Sequence, residues 1–363
     1  MSNPQPDPVH VPYDQLHHLI SGQFTRRGVP TERARLAASA LCHGDLCGFE
    51  SHGAFNLTRL YLPLFDSARV DPGAEPVTRT DLGACATVDA GRALGLWAAA
   101  EAMDHAIERA GTHGLGLVSV RGGTHLGCAG FHAARAAEAG MIGVVASNCG
   151  GQRIARPPRG ALAMLGTNPL AVAAPALPEH PFVLDMSTTV VPTGKVRLAA
   201  SDGASVPDGW IADDTDRPVT DPHAFDGGTA HLRWLGGDPE TGSHKGFGLG
   251  LTVEVLSALL SGSGIGPAPE ALRGEAGRDD DIGYFVLAID GQRLRPDFAE
   301  AARAMFGAVL DCPPATGDDV VRYPGWWEAE RSWQRRCEGV PIRPRLHREL
   351  VELGLRDAEA VAR

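Results

Sequence analysis

The chain has 363 residues, 43% of them hydrophobic and 21% charged, and carries a formal net charge of −11 at pH 7. That length gives room for two or three packed units. The acidic balance argues against a nucleic-acid surface, which needs a dense cationic face, and against adhesion to anionic membranes.

Met1 to Pro12 is polar and proline-rich, without the apolar core of an export signal. Tyr13 to Cys47 then reads as helical, with Leu36, Ala37, Ala40 and Leu41 at helical spacing. Ser51-His52-Gly53 interrupts that pattern, and a further helix is predicted from Asn56 to Asp66. Pro72-Gly73 and Pro76 mark a boundary loop. Ala93 to Ala110 is alanine-rich and helical by propensity. Gly114 to Val120 alternates and runs into Gly122-Gly123, the pattern of a buried strand meeting a turn. Ala129 to Ala139 reads as a helix; Ile142 to Ala146, Leu170 to Ala174 and Phe182 to Asp185 read as strands. Ser201 to Asp226, rich in Asp, Gly and Pro, reads as a long loop, and Gly246 to Gly262 as an apolar helix. Ala268 to Asp281 is polar and is expected to be a mobile excursion before a strand at Gly283 to Ile289. Pro296 to Leu310, Gly325 to Cys337 and Arg345 to Leu355 read as helices. The alternation of strands and helices through the centre favours an α/β or α+β fold. No apolar run is long enough to span a bilayer. The seven cysteines are an odd number without a disulfide framework, which suits a reducing, cytoplasmic setting.

Thr124-His125-Leu126-Gly127 sits between the alternating strand and a small-residue helix, with Ser51-His52-Gly53 upstream and Gly166-Thr167-Asn168-Pro169 downstream. Asp185-Met186-Ser187-Thr188 and His244-Lys245-Gly246 follow. Of fourteen histidines, His52, His125 and His244 are the ones in glycine-flanked contexts where backbone approaches a ligand closely. Histidine exchanges a proton near neutrality, so the set points to an active site. Ser51 is placed to fix the tautomer of its neighbour. A serine-nucleophile reading fails because no Gly-X-Ser-X-Gly elbow surrounds Ser51. The Gly-X-Gly-X-X-Gly fingerprint and the P-loop are both absent. A dinucleotide would therefore rest on other glycine-rich turns and helix N-termini, and Gly246 after His244-Lys245 fits that use. Cys42, His43 and Cys47 read as helix side chains rather than a metal site, since no cluster has zinc spacing. Trp326-Trp327 reads as packing rather than a cofactor platform.

Taken together, Glu50-Ser51-His52-Gly53, His125-Leu126-Gly127, Gly166-Thr167-Asn168-Pro169, Asp185-Met186-Ser187-Thr188, Gly194-Lys195, His244 to Leu249 and Pro324-Gly325 resemble the malate/L-lactate dehydrogenase type-2 family, from about Tyr13 to Leu355. The resemblance implies an α/β, α+β-like fold that is not of Rossmann type, with a largely antiparallel central sheet and a flanking helical domain. It implies a helical substrate and dimerisation unit from residues 1–75 with 300–363, and a cofactor-binding unit from 76–299. It also implies a homodimer. The expected reaction is hydride transfer between NADPH or NADH and a small 2-oxo, 2-hydroxy or cyclic 2-imino acid, without a metal. Ser51, His52 and His125 are the implied catalytic residues, and which histidine is the acid/base stays open. Asn56, Arg59 and Thr167 are the candidates for substrate binding. His125, Leu126, Gly127, Cys149, Asp185, Met186, Ser187, His244, Lys245, Pro324 and Gly325 are the candidates for cofactor binding.

Three departures from the family pattern matter. Asn56 stands where many members carry a carboxylate-gripping arginine, and Arg59, one helical turn on, is the substitute expected from spacing. Asp238 to Ser243 looks inserted. Lys195 stands where some imino-acid reductases have an aspartate, which favours the hydroxy-acid version of the site. Two other readings stand beside this one: a biosynthetic keto or imine reductase for a larger substrate, and a catalytically inactive cofactor-binding protein.

Overall fold

A computed structural model describes residues 7–317 and 319–356. The outermost parts of the predicted helical unit, residues 1–6 and 357–363, and position 318 lie outside the described residues. The single helix expected from Tyr13 to Cys47 is two helices, α1 (Tyr13–Arg26) and α2 (Thr31–Cys47). The break is local chemistry: Gly28 takes φ 95° and Pro30 has no N–H to continue a helix. The chain then makes a 3-10 turn at Glu50–His52 and a π-helical turn at Leu57–Tyr61 that runs into the short helix Leu62–Asp66.

The central sheet has seven strands: β1 (Val77–Asp81), β2 (Cys85–Asp89), β3 (Leu115–Gly123), β4 (Ile142–Ser147), β5 (Leu170–Leu177), β6 (His180–Met186) and β7 (Ile282–Ile289). Their order is β1-β2-β3-β7-β4-β5-β6, with every neighbouring pair antiparallel except β2 and β3. That parallel pair is joined by helix α3 (Gly95–His113), the crossover a parallel connection requires. β1 and β2 carry no hydrophobic alternation, and β1 is exposed along its whole length, so periodicity does not reveal them.

Alanine-rich helices approach the sheet closely because glycines face them. A Cβ at Gly143 in β4 would collide with the carbonyl of Ala133 in helix α4 (Ala129–Glu138), and one at Gly116 in β3 with that of Ala106 in α3. The main core runs from Leu16, Ile20 and Leu41 of the N-terminal helices through Trp97 and Met103 of α3 to Val118 and Tyr284 in the sheet. Each fully buried aliphatic side chain there contributes about 1.5–3 kcal/mol. The N-terminal helices and the sheet thus share one core, which fixes the Glu50–His52 turn against the strand ends.

The longer helices that remain are α5 (Thr193–Ser201), α6 (Ser243–Val253), α7 (Phe298–Leu310), α8 (Trp326–Glu338) and α9 (Pro344–Glu352). α6 continues as a π-helical segment, Glu254–Leu259. The predicted loop from Ser201 to Asp226 holds Ile211–Ala212 and Pro218–Val219, which with His231–Leu232 form a small second sheet. Strands of two residues leave no periodic signal. The segment expected to be a mobile excursion is tied down. Arg69 reaches Asp279 at 2.6 Å, Arg153 donates to the carbonyls of Gly266 and Glu275 at 2.6 and 2.8 Å, and Asp281 accepts from Gly122 N at 2.9 Å. Among the described residues, no helix is long and apolar enough to cross a membrane.

Candidate active site

A cavity of about 380 Å³ collects the ends of several elements: the Glu50–His52 turn, the turn after β3, the end of β4, the Gly166–Pro169 turn, the end of β6 and the start of α5. Each wall has a local reason for its shape. Gly44 in α2 lets the His52 backbone approach so closely that a Cβ would lie 2.7 Å from the His52 carbonyl carbon. Asp45 then accepts the Ala54 N–H at 2.7 Å, and the Asn56 amide donates to the Ser51 carbonyl at 2.8 Å. Ser51 and His52 are held as a pair, with Ser51 Oγ 3.0 Å from His52 Nδ1. Burial, then the neighbouring His125 and Lys195, pull His52 down to about 3. The resting site therefore holds it neutral.

The turn after β3 is clamped by Thr124. Its hydroxyl donates to Ala93 O at 3.0 Å and accepts from Gly95 N at 2.8 Å, while its carbonyl accepts from the Tyr284 hydroxyl. His125 follows, its ring centroid 6.1 Å from that of His52 with the planes 26° apart. His125 Nδ1 lies 2.8 Å from Tyr61 Oη and receives the Gly127 N–H at 3.2 Å. Burial lowers the His125 pKa, with Asp279 opposing.

The downstream motifs face the same space. Asn168 adopts φ 41°, a left-handed backbone that asparagine tolerates. Its amide is fixed by Gly250 O and Glu254 Oε1, both at 3.0 Å. The turn presents Thr167, whose hydroxyl lies 3.7 Å from Cys149 Sγ. Burial raises the Cys149 thiol, so it stays protonated. Asp185 at the end of β6 accepts the Gly130 N–H at 2.8 Å, at the start of α4, and burial lifts its carboxyl to about 6. Leu126, Gly127, Met186 and Ser187 complete the predicted residues that line the cavity.

Other predicted residues lie elsewhere. Asn56 supports the Ser51 backbone and does not line the cavity. Arg59 forms a two-pronged pair with Glu349, at 3.0 and 3.1 Å, and covers the Phe55 ring in a separate cavity. Leu57–Tyr61 is π-helical, so the angular step between residues 56 and 59 differs from that of the α-helix assumed from spacing. His244 and Lys245 are exposed at the first turn of α6, outside the walls of this cavity and the adjoining one. Pro324 and Gly325 line that adjoining cavity, of about 1190 Å³, which shares Phe49 and Asp185 with the first. Pro324 O accepts from Val183 N at 3.0 Å, and Gly325, at φ 97°, lies too close to Pro181 O for any side chain. Trp326 stacks on His180 at 4.0 Å between ring centroids, and Trp327 is exposed.

The cavity also holds residues the motifs did not single out as ligands, among them Ser147, Gln152, Thr189, Lys195 and Asp279. Lys195 is the one lysine or arginine among the described residues that line it. Gly194 allows this: a Cβ there would lie 2.8 Å from that of Ser51, so α5 starts directly against the Ser51-His52 turn. A signal was available in the sequence, since Lys195 and Lys245 are the only lysines among 33 basic residues. No group of three side chains suited to a metal ion exists among the described residues.

Known proteins share both sequence and fold. The family model described as malate/L-lactate dehydrogenase matches residues 11–351. A malate dehydrogenase of Pyrococcus horikoshii is 33% identical over 96% of this chain and 95% of its own. An NAD(+)-dependent ureidoglycolate dehydrogenase of Escherichia coli O157:H7 is 30% identical over 94% of this chain and 95% of its own. A (2R)-3-sulfolactate dehydrogenase (NADP(+)) of Chromohalobacter salexigens is 33% identical over 82% and 84% of the two chains. The crystal structure of malate dehydrogenase from Entamoeba histolytica superposes with a TM-score of 0.88 at 27% identity, covering 95% of this chain and 97% of the other. Delta1-piperideine-2-carboxylate reductase from Pseudomonas syringae pvar. tomato gives a TM-score of 0.81 at 26% identity, covering 95% and all of the two chains.

Proposed function

The chain belongs to the malate/L-lactate dehydrogenase family, and we propose that it transfers a hydride between NADH or NADPH and C2 of a small 2-oxo or 2-hydroxy acid, with cyclic 2-imino acids as the neighbouring substrate class. One observation carries this reading. Ser51, His52, His125, Thr167 and Lys195 line a single cavity that adjoins a larger one through Phe49 and Asp185. Two adjoining cavities match the two halves of a dinucleotide. The smaller has neutral hydrogen-bonding groups from Ser147, Gln152, Ser187 and Thr189 suited to a carboxamide. The bound nicotinamide supplies or accepts the hydride.

This chain's residues do the rest. His52 or His125 exchanges the proton with the substrate oxygen, and Ser51 holds the His52 ring. Thr167 orients the acid. Lys195 faces its carboxylate, with the N-terminus of α5 adding positive potential behind it; this work falls to Lys195 because Asn56 and Arg59 are engaged elsewhere. Cys149, Leu126, Gly127, Asp185, Met186 and Ser187 flank the nicotinamide half, and Pro324-Gly325 flanks the other half. The dinucleotide would lie across the ends of an antiparallel sheet, a platform different from a doubly wound Rossmann sheet.

In this reading residues 1–75 with 300–363 are the helical unit, which brings Ser51 and His52 to the substrate and Pro324-Gly325 to the cofactor, and 76–299 is the cofactor unit, which also supplies Thr167, Lys195 and part of the dimer contact. Leu251, Val255 and Leu259 recur at helical spacing on α6 and its continuation and are exposed, which supports a homodimer formed through that stripe. Seven unpaired thiols support a cytoplasmic setting.

Purified protein mixed with NADPH, then NADH, against pyruvate, oxaloacetate, 2-oxoglutarate and piperideine-2-carboxylate tests the reading through loss of nicotinamide absorbance. Consumption with one acid is the expected result. A single ammonium in place of an arginine fork also supports a second reading, a reductase of larger keto or imino substrates. Turnover of pyruvate or oxaloacetate counts against it. Saturable cofactor binding without any turnover would indicate an inactive binder.

A further inference from the structure

Charge in the smaller cavity is uneven from one histidine to the other. Lys195 is the one lysine or arginine among the described residues that line it. It stands on the His52 side, because Gly194 packs α5 against Ser51. Asp279 stands on the His125 side. Two residues on, Asp281 accepts the Gly122 N–H at 2.9 Å, at the end of β3 and shortly before His125. Gly150, beside Cys149, has no room for a side chain against the Asp280 carbonyl. The 279–281 segment is thus laid across the ends of β3 and β4.

That segment keeps a net negative charge. Arg69 donates to Asp279 and to Asp280, each at 2.6 Å, so one guanidinium serves two carboxylates. Arg69 itself does not line the cavity. The second carboxylate oxygen of Asp279 has no hydrogen-bond partner among the described residues. Asp185, the other acid in the walls, accepts the Gly130 N–H and lies where the two cavities adjoin.

A substrate held by its C1 carboxylate at Lys195 and by its C2 oxygen at the two imidazoles extends its tail toward Asp279. A second carboxylate on that tail would enter a partly buried space beside a like charge, with no cation to meet it. A neutral tail meets no such penalty. An ammonium or guanidinium on the tail would find the open oxygen of Asp279. We infer, on the hydride-transfer reading above, that this chain acts on 2-oxo or 2-hydroxy acids with one carboxylate and an uncharged or cationic tail, and that Asp279 is the specificity-determining residue that turns diacids away.

Matched acids that differ in one charge test this: oxaloacetate against its 4-methyl ester, and 2-oxoglutarate against its 5-methyl ester. Each ester should give a kcat/KM at least about tenfold above its diacid, since like charges brought together in a partly desolvated site cost that much or more. Asp279→Asn keeps an acceptor for Arg69 and loses the charge, so the ester-to-diacid ratio should fall about tenfold. Damage to the fold lowers both members of a pair together. Asp280→Asn perturbs the same Arg69 pairing from outside the cavity and should leave the ratio near that of the wild type. Diacids turned over as well as their esters, or a ratio unchanged in Asp279→Asn, would overturn the assignment. So would a change in Asp280→Asn as large as that in Asp279→Asn. A second arm needs no turnover. Lys195 is labelled with a lysine-directed reagent in the presence of nicotinamide cofactor, and its peptide is quantified by mass spectrometry. The esters should protect it at roughly tenfold lower concentration than the diacids. Equal protection, or none by either, would overturn the inference. Ester-selective protection without hydride transfer to any acid would sink the hydride-transfer reading and keep the charge preference of the cavity.

Discussion

Replacing Asp45 by asparagine should change how stability depends on pH. Asp45 is 3% exposed, accepts the Ala54 N–H at 2.7 Å and thereby holds the turn that carries Ser51 and His52. Burial is the main cause of its rise from 3.8 to about 7; Glu50 adds to it, and the Ala54 N–H and Arg335 oppose it. The folded pKa is raised, so the fold favours the protonated acid. The associated stability is complete below the unfolded value and is lost as pH rises through the folded one. One pKa unit is worth about 1.4 kcal/mol, so the wild type should lose about 3 kcal/mol from this group between pH 5 and 8. Asparagine keeps an acceptor for Ala54 and never ionises. Urea unfolding at the two pH values should therefore show the Asp45→Asn difference moving in the variant's favour by about 3 kcal/mol as pH rises. Asp45→Ala, which orphans the Ala54 N–H, should cost about 1–3 kcal/mol at pH 5. An Asp45→Asn difference that is the same at both pH values would mean that Asp45 is already ionised in the fold at pH 5, and the reasoning would fail.

Lys195→Met should raise the KM for a 2-oxo acid by roughly ten- to a hundredfold, the value of a hydrogen-bonded charge, with a much smaller change in cofactor Kd. With only two lysines in the chain, a lysine-directed reagent should inactivate the enzyme, and a substrate acid should protect it. Gly130→Ala would place a methyl 2.9 Å from the Asp185 side chain. Overpacking of that kind costs about 1–3 kcal/mol, so cofactor titration should show weaker binding, and wild-type affinity would separate Asp185 from the cofactor. Val255→Glu puts a charge into the exposed stripe on the continuation of α6. Light scattering should find a dimer for the wild type and a monomer for the variant, and an unchanged mass would move the interface elsewhere.

The strand ends and their glycine-flanked histidines were legible because close backbone approach demands residues that few other contexts favour. Ser51, His52, His125 and Thr167 meet in one cavity although more than 110 residues separate the first and last. Lys195 was harder to read. It lies on a short helix of ordinary composition, and its role depends on Gly194 bringing that helix against Ser51. Asp279 reaches the cavity only because Arg69 and Arg153 tie its segment to distant parts of the chain. Where Arg59 sits was not legible, because a 3.6-residue period does not describe the π turn that carries it to Glu349. β1 and β2 escaped notice because strands without a buried alternating face carry no period-2 signal.

Hydride delivery to C2 of an acid is the defining step of the proposed reaction. Reduced cofactor carrying deuterium at the transferable position, incubated with the enzyme and a 2-oxo acid, followed by mass spectrometry of the product, tests this most directly. Deuterium bonded to C2 of the 2-hydroxy acid is the predicted result. Saturable cofactor binding with no labelled product from any 2-oxo or cyclic 2-imino acid would contradict it.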